Sequence, residues 1–116
     1  MIKSLYIKDF AIINEISIDL RPGLTVITGE TGSGKSILLK ALASSLGAKI
    51  NNQMVRSNAE RAVVVSKFSD FEVRRIIYKN GRSQYYHNDA PISLSKLTSQ
   101  IGSLIDFHGQ HDQQLI

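Results

Sequence analysis

Hydrophobic and polar positions change their period repeatedly along this chain, and each change marks an element. Residues 2 to 10 predict a first strand, and Ile16, Ile18 and Leu20 alternate with Ser17 and Asp19 as a second strand with one face on a core. Arg21-Pro22-Gly23 turns the chain into Leu24-Thr25-Val26-Ile27-Thr28, a short apolar run that reads as a buried strand. The period then lengthens: Leu38, Ala41, Leu42 and Leu46 fall on one stripe of a helix, with Gly47 in the position that ends it. Ala48 to Glu60 is polar and Asn-rich without a period, and predicts a loop. Ala62 to Phe68 and Glu72 to Lys79 predict strands, and Asn80-Gly81 is a strong hairpin signal joining the second of these to Arg82 to Asn88. Asp89-Ala90-Pro91 predicts a break. Ser93 can cap a short helix carrying Leu94, Leu97 and Ile101, with Gly102 as its stop and Leu104 to Phe107 as a last strand. No internal repeat, low-complexity tract or linker interrupts this order.

Between the apolar run and the amphipathic helix lies Gly29-Glu30-Thr31-Gly32-Ser33-Gly34-Lys35-Ser36, which fits the phosphate-binding pattern G-x-x-x-x-G-K-[ST] in the context where that loop must lie. Without a Cβ, Gly29, Gly32 and Gly34 let the backbone curl until successive N–H groups face an anion. Lys35 reaches the β and γ phosphates as a point charge and Ser36 offers a hydroxyl to Mg²⁺. The helix that starts there adds the positive end of its dipole. The candidate nucleotide-contacting set is therefore Gly29, Glu30, Thr31, Gly32, Ser33, Gly34, Lys35, Ser36 and the adjoining Ile37, with ATP and Mg²⁺ as the implied ligands.

Composition narrows the class. The 116 residues contain no cysteine, which excludes a disulfide scaffold and a Cys-ligated zinc site and fits a reducing cytosol. No secretory signal pattern opens the chain, and nowhere do eighteen apolar residues run together as a membrane span requires. A net charge of +4 permits an acidic partner such as DNA. The basic residues Arg74, Arg75, Lys79 and Arg82 interleave with Tyr78, Tyr85 and Tyr86 on the hairpin, a pattern able to grip phosphates and stack on bases; strand alternation points Arg74 and Arg75 opposite ways, and solvated charges on an exposed sheet are the leading reading.

Hydrolysis needs more than a cradle: an acid at a strand end for Mg²⁺ and a group to orient the attacking water. Leu104-Ile105-Asp106 is a weak match to the second magnesium motif, and a solvated carboxylate is the simpler reading of Asp106. Gln110, in His108-Gly109-Gln110-His111, offers an amide just past a predicted strand, where it can touch Mg²⁺ or water; Gln113 and Gln114 compete for that role. His108 and His111 lack a third metal ligand nearby, and His87 in the hairpin reads as structural. The guanine-reading motif Asn-Lys-x-Asp does not occur.

Several blocks of the sequence then resemble one family. Leu5-Tyr6-Ile7-Lys8-Asp9-Phe10-Ala11-Ile12-Ile13, the block from Leu24 to Ser36, and Val55-Arg56 with Ala59-Glu60-Arg61-Ala62 resemble the amino-terminal head segment of the RecN family, SMC-like ABC ATPases of bacterial DNA repair. Leu104-Ile105-Asp106-Phe107-His108-Gly109-Gln110-His111-Asp112-Gln113-Gln114 is similar to that family's Q-loop segment. The resemblance implies an α/β fold of the P-loop NTPase class: the amino-terminal lobe of an ABC/SMC-type ATPase head, with a mixed sheet and a β-hairpin. It implies that Gln110 is the Q-loop glutamine contacting Mg²⁺, that Lys35 and Gln110 serve catalysis, and that Arg56 sits near the nucleotide or the facing head.

It further implies ATP hydrolysis, a homodimer of heads sandwiching ATP, action on DNA in double-strand-break repair and recombination, and a cytoplasmic, nucleoid-associated bacterial location. A complete member also has a long coiled coil and a carboxyl-terminal half-head bearing the signature motif, Walker B acids, D-loop and H-loop. None of these occurs here, so residues 1–116 are expected to be the amino-terminal half of a larger ATPase, incompetent for turnover alone. The alternative is a nucleotide-sensing or DNA-docking module without turnover of its own. The join from Phe68 to Glu72 is shorter than the family pattern.

Overall fold

The computed structural model describes residues 2–19 and 32–105, with the backbone alone for 32–35 and 102–105. Six strands form one sheet in the order β2-β1-β3-β4-β5-β6, where β1 is Ile2–Phe10, β2 Ile13–Asp19, β3 Arg61–Phe68, β4 Glu72–Tyr78, β5 Ser83–His87 and β6 Ala90–Ile92. Every pairing is antiparallel. The mixed sheet expected from the resemblance would draw a further strand from residues 24–28, which lie outside the described residues. Among the described residues there are also helices α1 (Gly32–Ser45) and α2 (Leu94–Ile105) and a 3-10 turn at Asn52–Met54.

Strict alternation explains why the sheet has one covered face. In β3 the buried positions are Ala62, Val64, Ser66 and Phe68, and in β4 they are Val73, Arg75 and Ile77. Of these, Ala62, Val64, Phe68 and Ile77 join Leu5, Ile7 and Phe10 of β1 and Ala41 and Leu42 of α1 in the main core, while Val73 and Tyr85 meet Leu97 and Ile101 of α2 in a smaller one. The opposite face carries half-buried Tyr6, Val63, Val65, Ile76 and Tyr78 between charged side chains.

The hairpin predicted at Asn80-Gly81 forms. Gly81 takes φ 98°, Gly81 N–H donates to the Tyr78 carbonyl at 2.9 Å, and Asn80 Oδ1 accepts from Arg82 N–H at 3.0 Å. Two expectations are corrected. Asp89-Ala90-Pro91 is no break: Asn88 (φ 51°) and Asp89 (φ 70°) make a second tight turn, and Ala90–Ile92 returns as β6 with His87 opposite Ala90. Pro91 is tolerated because β6 is an edge strand. Nor does Gly102 end α2, which runs on to Ile105, so the strand expected over Leu104 to Phe107 is helical in its first two residues. The apolar period Leu94, Leu97, Ile101, Leu104 continues through the glycine, and that outweighs its weak helix propensity. Ser93 caps α2 as expected, its Oγ accepting from Lys96 N–H at 3.3 Å.

Candidate functional site

The phosphate-binding pattern meets the start of α1. Residues 29–31 lie outside the described residues, and the helix begins at Gly32, so Lys35 and Ser36 sit in its opening turns. Free N–H groups at a helix start form an anion site, and no acidic side chain occupies the first turn of α1 to compete with an incoming phosphate. Ser36 is exposed, whereas Ile37 and Leu38 pack against the main core and fix the rotation of the helix about its axis. Gly32, Ser33, Gly34 and Lys35 are described as backbone only. Asp106, His108, Gln110, His111, Gln113 and Gln114 lie outside the described residues, so their expected roles have no geometry here.

Arg56 is positioned by a corner at the end of β1. Phe10 sits between Asp9 and Ala11, both at φ 55°, and forms an isolated bridge with Val55. Ala11 N–H donates to the Met54 carbonyl and Arg56 N–H to the Asp9 carbonyl at 2.9 Å, which holds Arg56 half-buried beside the corner. Two non-glycine residues in the left-handed region within one corner store backbone strain that the surrounding packing must hold.

The basic hairpin divides in two. Arg74 faces outward, pairs with Asp89 at 3.3 Å and lies 4.3 Å from the Tyr86 ring centroid. Arg75 points the other way, as strand alternation requires, but is only 6% exposed, so the reading of solvated charges on an exposed sheet is corrected at Arg75. Its guanidinium donates to the Ser44 carbonyl at 2.9 Å, to the Ala48 carbonyl at 2.7 Å and to Ser83 Oγ, and stacks over Tyr85 at 4.8 Å. A cation therefore caps the carbonyl end of α1, which has no basic residue of its own in the last turn. Burial lowers the Arg75 pKa and raises that of Tyr85, in each case because the charged form loses water. The alternation Val73, Arg75, Ile77 was the available signal for this burial.

Ser45 Oγ and Ser66 Oγ lie 2.8 Å apart in the interior and tie the same end of α1 to β3. His87 is half-buried with Phe71 edge-on at 5.8 Å, in keeping with a structural role. The short β3–β4 join closes on itself: Phe68 N–H donates to the Phe71 carbonyl at 2.7 Å and the two rings stack at 4.6 Å.

The sequence profile of the AAA domain family matches residues 4–115. The chain belongs to that family. Within the AAA domain family it is a RecN-like amino-terminal head segment: the DNA repair protein RecN of Vibrio cholerae is 37% identical over 134 residues, covering 98% of this chain and 24% of the relative. RecN of Xylella fastidiosa strain 9a5c is 34% identical over 136 residues, and RecN of Bacillus subtilis 34% over 137, each covering 100% of this chain and 24% of the relative. The chain thus spans about a quarter of the length of these curated relatives.

Solved structures agree in fold. An SMC ATPase, described for its ATP-driven dimerization and DNA-stimulated activation, superposes with a TM-score of 0.75 at 26% identity over 87% of this chain and 77% of its own. The SMC head domain from Thermotoga maritima gives 0.67 at 25% identity over 85% of this chain and 41% of its own. The recombination mediator RecF gives 0.71 at 19% identity over 84% of this chain and 29% of its own, a likeness of fold alone. The AAA-family chain described here is accordingly an α/β ATPase-head lobe of the SMC and RecN type. Among the described residues, no helix is long and apolar enough to cross a membrane.

Proposed function

We propose that residues 1–116 form the ATP-binding amino-terminal half of a RecN-type head, completed by a carboxyl-terminal half-head and dimerising with a second head around ATP. ATP cleavage between the heads would drive their opening and closing on DNA during double-strand-break repair and recombination, in the bacterial cytoplasm at the nucleoid. The observation that carries this reading is the phosphate-binding pattern running directly into the acid-free first turn of α1, in a chain whose relatives at 34% and 37% identity are DNA repair proteins.

The residues present suit Mg-ATP. Backbone N–H groups of Gly29 to Ser36 would cradle the phosphates, with Ile37 following them into the helix, Lys35 would clamp the β and γ groups, and the Ser36 hydroxyl and Gln110 amide would hold Mg²⁺. Held there, Mg²⁺ would supply positive charge against the negative charge that develops on the phosphates. Arg56, held beside the strained corner of β1, would lie near the nucleotide or the facing head. The acid that polarises water and the opposing signature motif would come from the partner segments.

Phosphate release from the full-length parent, measured with and without DNA, tests this. Lys35→Ala should reduce release to background in both conditions; turnover retained in that variant would defeat the catalytic assignment. A parent that binds ATP but never releases phosphate would instead support the sensing module.

A further inference from the structure

Once Arg75 is withdrawn into the core and Arg74 is engaged by Asp89 and Tyr86, the hairpin's remaining cations are Lys79 and Arg82. The fold gives them company that the sequence does not show. Register places Arg61 of β3 opposite Tyr78 of β4 and Lys8 of β1 opposite Val63, so Lys8 and Arg61 share the outer face of the sheet with Tyr78. Glu60 accepts at its carbonyl from Lys79 N–H at 3.0 Å, and Asn52 Nδ2 donates to the Lys79 carbonyl, which fixes the turn against the start of β3.

The outcome is a cleft of about 640 Å³ whose lining includes Lys8, Arg61, Tyr78, Lys79, Asp9 and Glu60. A second hollow of about 480 Å³ shares Tyr78 and Asn80 and adds Arg82. Cations outnumber acids across the pair. The ion pairs of Lys67 with Glu72 and of Arg74 with Asp89 do not engage Lys8, Arg61, Lys79 or Arg82, while Glu15 of β2 stands opposite Lys8 and Asp9 and Glu60 line the same cleft.

The geometry points to this end of the outer sheet face, Lys8, Arg61, Lys79 and Arg82 around Tyr78, as the surface that meets the phosphate backbone of DNA. It rests on the reading of DNA as a partner given above. Charge complementarity selects the occupant: cations on the ends of successive strands, outnumbering the nearby carboxylates Asp9, Glu15 and Glu60, suit a regularly spaced line of anions. With neighbouring strands about 4.8 Å apart, the arc from β1 to the end of β4 covers roughly 10 Å, over which a duplex presents several phosphates. The open cleft leaves Tyr78 available beside them, and the paired cations Arg74 and Lys67 lie farther along the same face.

The test is duplex DNA affinity of the full-length parent across a salt series, compared with the triple variant Arg61→Gln/Lys79→Gln/Arg82→Gln and with the control Arg74→Gln. The triple variant should bind at least about tenfold more weakly at about 0.1 M salt, and its slope of log affinity against log salt should shrink by about three, one for each phosphate contact removed. ATP affinity, read in the same preparations, should be unchanged and certifies an intact head. Unaltered DNA affinity and slope in the triple variant, with the parent binding DNA, would overturn the surface and leave the ATPase reading standing. A loss in Arg74→Gln equal to that of the triple variant would overturn it too, since the effect would then be unlocalised charge. A parent that binds no DNA would remove the partner itself.

Discussion

Arg75→Met should destabilise the head by about 2 kcal/mol, because it strips the Ser44 and Ala48 carbonyls of a charged donor while keeping most of the buried volume. Part of the loss is offset, since a desolvated guanidinium no longer has to be accommodated. Arg75→Lys should recover only a fraction, as an ammonium cannot fork to Ser83 Oγ and both carbonyls together. Arg74→Met, acting on an exposed pair with Asp89, should cost under about 1 kcal/mol. Denaturant unfolding of the parent protein and these variants measures the difference, and equal costs at the two arginines would contradict the burial of Arg75. Strand alternation put Arg75 beside Val73 and Ile77, so its direction was legible; its acceptors were not, because they sit at the end of α1, some thirty residues earlier in the chain.

At the scale of elements, the strands and the Asn80-Gly81 hairpin were readable because period 2 and turn chemistry are local properties. The β5–β6 turn was missed for an instructive reason: Asn88-Asp89 carries the same positive-φ chemistry as Asn-Gly, but the following Pro91 reads as a breaker unless the strand is known to be an edge. Gly102 misled in the opposite direction, since a glycine stops a helix only where the apolar period also ends. The candidate site was legible up to Ser36 because the pattern there is contiguous, while Arg56 owes its place to a backbone clamp between Met54–Arg56 and the β1 corner, which no spacing rule announces.

Two glycines test these element ends separately. Gly81, at φ 98°, has nothing within 4 Å of where a Cβ would stand, so Gly81→Ala should cost only the backbone strain of about 1 kcal/mol. Gly47, at φ 107°, would place a Cβ 3.0 Å from Leu94 Cδ1 and press on the start of α2. Gly47→Ala should therefore cost more than Gly81→Ala by about 1 kcal/mol or above in thermal or denaturant unfolding. Equal costs would mean that Leu94 yields freely and that α1 and α2 are not in firm contact there.

For the whole molecule, the arrangement separates the candidate binding end of α1 from the end that fastens it. One end of α1 carries the phosphate-binding pattern, and the other is fastened by Arg75, by the Ser45–Ser66 hydrogen bond and by the packing of Gly47 under Leu94. A ligand that binds only the folded head must raise its stability by RT ln(1 + [L]/Kd), about 2.7 kcal/mol at a hundredfold excess over Kd. Mg-ATP should thus raise the unfolding temperature of the parent protein, and Lys35→Ala should abolish that rise while leaving the ligand-free midpoint nearly unchanged, because an end-of-loop ammonium contributes to the ligand more than to the fold. Arg75→Met should do the reverse, lowering the ligand-free midpoint yet keeping the nucleotide-dependent rise. The crossed pattern is the informative outcome. If Arg75→Met also erased the rise, the far end of α1 would be part of the nucleotide site's preorganisation; if Lys35→Ala kept it, the triphosphate would be held somewhere other than the pattern at residues 29–36.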